Sequence, residues 1–173
     1  MKEKQSNILY TKALNIKLLL TDCDGVLTDC GVYYSGNGEE LKKFNIRDGM
    51  GVERLRKLVE VETGIISGEK SPSIKRRAKK LKINELHLEI KNKVAVLEEI
   101  LIRKSLTLDE VAYIGDDMND VEILKMVGLS ACPSDAFNQV KNHVDFICEY
   151  EGGKGAFREF AELIIESKLK ENK

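Results

Sequence analysis

"LLLTDCDGVLTD", Leu18 to Asp29, runs a greasy stretch straight into three acids. Ile16 to Thr21 is apolar without polar alternation, the pattern of a strand buried on both faces. It ends at Asp22 and Asp24, with Asp29 close behind. Two like charges about 4 Å apart repel by about 4 kcal/mol at an effective dielectric near 20. A fold that crowds acids at a strand end therefore needs something positive nearby.

The rest of the chain alternates strand and helix. "CGVYYSGNGEELKKFN" places two β-prone stretches around "SGNG", a hairpin turning at Gly36 to Gly38. "DGMGVERLRKLVE" carries Val52, Leu55, Leu58 and Val59 on one helical stripe. "GIIS" is a second buried strand, and "SPSIKRRAKKL" a basic helix with Pro72 in its first turn. "ELHLEI" is a short strand and "NKVAVLEEILIRKSL" an amphipathic helix. "TLDE" reads as a capping box or a turn. "VAYIG" is a third buried strand, running into "DDMND" and the helix "VEILKMVG". "LSACP" and "VDFIC" are short strands around a brief helix, and "GGKGAFREFAELIIESKL" is a glycine-rich loop with a final helix. This order predicts an α/β fold, a Rossmann-like parallel sheet with helices on both faces and a β-hairpin insert after strand 1. Residues 16–173 read as one domain preceded by a short, partly ordered lead-in over 1–15.

Composition narrows the function classes. The 173 residues are 42% hydrophobic and 33% charged, enough for one substantial core. A net charge of -1 argues against a general nucleic-acid binder. No apolar run approaches the roughly 20 residues that span a bilayer, so no membrane partner is expected. "MKEKQSNILYTKALN" has no apolar core of a secretory signal. Cys23, Cys30, Cys132 and Cys148 show no CxxC or zinc spacing, as expected of reduced thiols in a cytoplasmic protein.

In open α/β sheets, ligands bind beyond the carboxyl ends of the strands. Asp22 and Asp24 follow the first strand, Ser67 the second, and Asp116 and Asp117 the third; Lys93 opens a helix. If those strands are neighbours, one crevice collects carboxylates, a hydroxyl and an ammonium. Hard carboxylate oxygens at this spacing suit Mg²⁺, which also takes phosphate oxygens. With a cation and Lys93 to screen the charge, an aspartate could attack a phosphoryl group. Asp24 could protonate the leaving oxygen and then activate water. Taken singly, Asp117 and Asp120 are as readily helix N-caps, and Asp29 reads as a turn residue.

"DCDGVLTD", "SG", "NK" and "GDDMND", in that order, resemble the four motifs of the haloacid dehalogenase superfamily. "GEELKKFNIRDGMGV", "AYIGDDMND" and "GGKGAFREF" resemble its 3-deoxy-D-manno-octulosonate 8-phosphate phosphatase branch, over roughly Ile16 to Ile165. The resemblance implies a Mg²⁺-dependent phosphatase working through an aspartyl-phosphate. Asp22 is then the nucleophile and Asp24 the general acid and base. Asp22, Asp116 and the Asp24 carbonyl hold the metal, with Asp117 and Asp120 in or near the surrounding layer. Ser67, Gly68 and Lys93 bind the phosphoryl group. The short spacing after the first motif and after "ISG" implies that no cap domain is present, and such relatives assemble as homotetramers in which the hairpin covers a neighbour's site.

A phosphorylated sugar acid calls for cations at the mouth, and Arg47, Lys154 and Arg158 are candidates. Glu69 stands where enzymes of the octulosonate class often carry Arg, and with Lys80 it resembles the phosphatases of nine-carbon sugar acid 9-phosphates. Arg47 points back to the eight-carbon acid. Two readings of another class stand beside these: a receiver-like phospho-switch, and a non-catalytic family member. A receiver puts its phospho-acceptor on a later strand, whereas Asp-x-Asp here follows the first.

Overall fold

The computed structural model describes the backbone of residues 2–171 and the side chains of 7–171. Six parallel strands form one sheet: β1 (Leu18–Thr21), β4 (Glu62–Ile66), β5 (Glu85–His87), β6 (Val111–Ile114), β7 (Leu129–Cys132) and β8 (Phe146–Ile147). Their order is β5-β4-β1-β6-β7-β8. Central β1 pairs with β4 on one side and β6 on the other, Leu19 facing Thr63 and Ala112. The chain builds one side of the sheet after β1 and the other from β6 onward. The crevice beyond β1 and β6 is therefore the switch point at which such sheets bind ligands.

The unbroken apolar strands are explained by two cores. Leu19, Ile65, Ala112 and Leu129 face one side, and Leu18, Leu20, Ile66 and Tyr113 the other. The first core is closed by α1 (Lys2–Asn15), α2 (Ile46–Val59), α3 (Pro72–Leu81) and α6 (Ala156–Glu171) through Ala13, Leu55, Ile74 and Phe160. The second is closed by α4 (Lys93–Lys104) and α5 (Val121–Met126) through Leu97, Ile100 and Leu124. A parallel α/β sheet with helices on both faces is what the alternation predicted. The hairpin, β2 (Val32–Ser35) and β3 (Gly38–Lys42), is a separate antiparallel ribbon turning at Gly36 and Asn37.

The elements differ from expectation where the sheet ends. "ELHLEI" and "VDFIC" contribute only three and two strand residues, because β5 and β8 are edges with one pairing partner each. "TLDE" is a capping box on a 3-10 turn, Glu110 accepting from the Thr107 N–H at 2.9 Å. In the stretch read as a lead-in, residues 2–15 form α1, whose Ala13 is buried and whose Leu9 packs on the same core. Lys12 pairs with Asp145 at 2.5 Å, and Tyr10 donates to Glu171 at 3.0 Å. Among the described residues no helix is long and apolar enough to cross a membrane, and all four cysteines are free.

Phe160, fully buried and stacked 6.2 Å from Phe146, ties α6 to the sheet. Phe160→Ala should lower unfolding free energy by about 3–5 kcal/mol, the usual cost of such a cavity, measured by urea denaturation.

Candidate active site

Asp22 continues β1, its N–H donating to the Ile114 carbonyl at 3.0 Å, so it stands at the carboxyl end of the central strand beside β6. The chain then turns tightly, with Leu27 and Thr28 N–H groups both donating to the Cys23 carbonyl. Gly25 makes that turn possible: at φ +88° it sits where a Cβ would lie 2.0 Å from the Asp116 carboxylate. Asp29 ends the turn as expected, accepting from the Gly31 N–H and pairing with Lys43.

After β6, Asp120 organises the opposite wall. It is fully buried. Its Oδ1 accepts from the Tyr113 hydroxyl and from Lys93 Nζ, each at 2.6 Å. Its Oδ2 accepts from the N–H groups of Asp116 and Asp117 at 3.1 and 3.4 Å. Lys93, the first residue of α4 and itself buried, thereby reaches Asp22 Oδ1 at 3.2 Å. Asp117 caps the following turn by accepting from the Met118 N–H at 2.7 Å.

A cavity of about 320 Å³ opens over this floor, lined by Asp22, Asp24, Ser67, Gly68, Asp116 and Asp117 among others. Ser67 is buried at the end of β4, its N–H tied to the His87 carbonyl at 2.9 Å. Its Oγ accepts from the Glu69 N–H at 3.2 Å, which leaves the hydroxyl proton free to donate. Glu69 lines the same cavity.

Four residues expected near the substrate, Arg47, Lys80, Lys154 and Arg158, do not line this cavity. Arg47 and Arg158 line a different cavity, between α2, β8 and α6, together with Lys154. Arg158 Nε is held by Glu162 at 2.7 Å, and Lys154 pairs with Glu151. Lys80 is exposed in the last turn of α3, eight residues and about 12 Å along the axis from the helix start. Five residues not expected from the sequence also line the site: Cys30, Val32, Tyr34, Lys42 and Asn119. No local signal marks Lys42, because a lysine in "GEELKK" reads as a solvated hairpin charge.

The glycine-rich loop packs against the turn after β1. Gly152 packs so closely that a Cβ would come within 1.9 Å of the Gly25 carbonyl oxygen. The Gly153 N–H donates to the Val26 carbonyl at 2.8 Å, and Asn45 Nδ2 donates to the Gly153 carbonyl at 3.1 Å.

The donor set fits a hard divalent cation. Carboxylate oxygens of Asp22, Asp116 and Asp120 lie within 4.8 Å of one another. Asp116 Oδ1 and Asp24 Oδ2 are buried without a hydrogen-bond partner. Burial, reinforced by the neighbouring Asp120, pushes Asp22 up to about 7 despite Lys93. Burial and then Asp22 and Asp120 push Asp116 up to about 8. With the lysines counted, negative charge remains in excess, and an oxygen-ligated Mg²⁺-type ion matches that deficit.

A haloacid dehalogenase-like hydrolase family profile matches residues 58–158. The 3-deoxy-D-manno-octulosonate 8-phosphate phosphatase KdsC of Salmonella typhi is 38% identical over 97% of this chain and 90% of that protein. The chain belongs to the haloacid dehalogenase-like hydrolase family. The crystal structure of 3-deoxy-D-manno-octulosonate 8-phosphate phosphatase from Yersinia pestis superposes with a TM-score of 0.91 at 35% identity, covering 95% of this chain and 88% of that one. The Moraxella catarrhalis phosphatase, crystallised with magnesium ion, phosphate ion and KDO, gives a TM-score of 0.91 at 32% identity, covering 96% and 95%. A receiver-like switch is excluded by this membership.

The raised carboxyls predict how stability changes with pH. A carboxyl whose pKa is higher in the folded than in the unfolded state binds extra protons when folded. Its contribution is complete below about 4 and lost as pH rises through 7 to 8. Metal-free protein should therefore show a melting temperature that falls between pH 5 and pH 8, and added Mg²⁺ should raise it most at pH 8. Differential scanning fluorimetry with and without EDTA measures this; a slope of the opposite sign would contradict the assignment.

Proposed function

We propose that this enzyme hydrolyses the phosphate monoester of a 3-deoxy keto sugar acid, 3-deoxy-D-manno-octulosonate 8-phosphate foremost, through an aspartyl-phosphate on Asp22. The observation that carries the reading is the floor of the cavity: Asp22 beside buried Lys93, with Asp24 two residues on and lining the same cavity. An Asp22 oxygen attacks phosphorus, the ester P–O bond breaks, and the Asp24 carboxyl gives its proton to the departing alcohol oxygen. Asp24, now a carboxylate, takes a proton from water as that water attacks the aspartyl-phosphate. The bond to Asp22 breaks and inorganic phosphate leaves. The Ser67 hydroxyl, the Gly68 backbone and Lys93 hold the phosphoryl oxygens. Asp22, Asp116 and the Asp24 carbonyl would hold Mg²⁺, which supplies the positive charge that lets an anionic nucleophile meet an anionic ester. Asp120 and Asp117 orient that set from behind.

The names of the relatives support the eight-carbon acid. One observation favours a second reading, a nine-carbon sugar acid 9-phosphate such as that of KDN or N-acetylneuraminate. Glu69 lines the cavity, while Arg47, the residue that argued for the shorter sugar, does not. A non-catalytic role is the remaining alternative.

Purified protein assayed with Mg²⁺ against both ester classes should release phosphate faster from the octulosonate ester. Asp22→Asn should abolish release, a loss of at least about 10³-fold, with an unchanged circular dichroism spectrum. Undiminished turnover in that variant would overturn the nucleophile; no turnover in the parent would point to the non-catalytic reading.

We further propose a cytoplasmic homotetramer, the four free thiols fitting a reducing compartment. Val32, Tyr34 and Lys42 of the hairpin wall the cavity, while Tyr33 and Leu41 are each 63% exposed on it. A second copy laid over that ribbon would bury apolar surface and shield the site from water. Sedimentation should give a tetramer for the parent and a smaller species for Leu41→Glu; a monomeric parent would overturn the assembly.

A further inference from the structure

Lys42 reaches the cavity from the end of β3, and its side chain is only 1% exposed. Its Nζ lies 2.6 Å from Asp24 Oδ1 and 3.6 Å from Glu39 Oε2. The Thr28 hydroxyl donates to the same Asp24 oxygen at 3.2 Å. The other oxygen, Oδ2, is buried and has no partner. Glu39 accepts in turn from the Ser71 hydroxyl, which also caps α3 immediately after the Ser67–Lys70 loop. One polar chain thus runs from Asp24 through the hairpin to the loop that carries Ser67 and Glu69.

A hairpin lysine is ordinarily solvated, because burying an ammonium is costly unless a carboxylate and hydrogen bonds repay it. Lys42 is buried against Asp24 and Glu39, so its orientation is set by them and theirs by it. A carboxylate pinned at one oxygen has lost its freedom to exchange the two. We infer that Lys42 is a positioning residue for proton transfer: by holding Oδ1 it fixes the orientation of the Asp24 carboxyl that gives a proton to the leaving oxygen and later takes one from water. This rests on the phosphatase reading above. No bond to Lys42 forms or breaks; the proton passes between the Asp24 carboxyl and the ester or water oxygen.

The leaving group distinguishes this role from a merely structural one. A sugar alkoxide departs only with a proton, whereas p-nitrophenolate departs without one. The value of kcat/KM covers the steps up to phosphoryl transfer, where that proton is needed. Positioned general-acid catalysis is typically worth about 10²–10⁴-fold. Lys42→Met should lower kcat/KM for 3-deoxy-D-manno-octulosonate 8-phosphate by about 30–100-fold, and for p-nitrophenyl phosphate by at least ten times less. Lys42→Arg, which keeps a cation beside Oδ1, should recover part of the difference.

Asp24→Asn should show the same dependence on leaving group, and the double variant should lose no more than Asp24→Asn alone. Equal losses for the two esters, or losses that add in the double variant, would overturn the inference; the second result would put Lys42 on the substrate instead. Should the Met variant not fold, Lys42→Gln is read on the same two esters by the same criteria. An inert parent enzyme, or an Asp24→Asn variant indifferent to leaving group, would instead overturn the phosphatase reading or the role of Asp24 within it.

Discussion

The buried pair of Lys93 and Asp120 is the contact on which the site depends. Neither group is accessible enough to be hydrated, Lys93 being 4% exposed and Asp120 fully enclosed. Such a pair repays its desolvation only when the remaining hydrogen-bonding capacity is used. Asp120 uses all of its capacity, holding Lys93 and Tyr113 on one oxygen and two backbone N–H groups on the other. One carboxylate therefore sets both the direction of the ammonium and the path of the chain after β6. Lys93 is aimed at Asp22, and Asp116 is delivered to the same crevice. Replacing Asp120 by an apolar residue would leave the buried ammonium only Asp22 and the Tyr113 hydroxyl, each at 3.2 Å, and release the loop at once.

The carboxylates that remain uncompensated give the site its character. Asp22 and Asp116 are raised towards neutrality because burial and mutual repulsion both oppose their charge. The cluster is then a poor place for bare anions and a good one for a divalent cation, which removes both causes together. Stability and function pull in opposite directions here. The fold tolerates electrostatic strain at the switch point and offsets it with two thoroughly apolar cores beneath.

Much of this arrangement is legible in the residues. Unbroken apolar runs imply strands covered on both faces, and acids at the ends of neighbouring parallel strands imply a shared crevice. Asp22, Asp24, Ser67, Gly68, Glu69, Asp116 and Asp117 do meet there. What escapes is whatever depends on side-chain direction across elements. Arg47 and Arg158 belong to motifs beside the site in sequence, yet the helices that bear them place both residues at another cavity, between α2 and α6. Lys42 is hidden for the opposite reason, since only the fold of the hairpin shows that its ammonium is buried. Helix α1 escapes because its polar residues mask a narrow stripe of Leu9 and Ala13, whose burial depends on α6 from the far end of the chain.

The missing cap gives the hairpin a double task. Only the hairpin stands between β1 and α2, so the ribbon is what walls that side of the cavity. The same ribbon holds Asp24 through Lys42 and reaches the Ser67 loop through Glu39 and Ser71. A displacement of β3 would open the wall of the cavity and release Asp24 together. Gly152 and Gly153 limit movement from the other side, packed against the Gly25 turn too tightly for any side chain. The turn that bears Asp22 and Asp24 is thus held between a glycine wedge and a hairpin lysine, and its geometry depends on both although neither lies in the sequence motif that bears the acids.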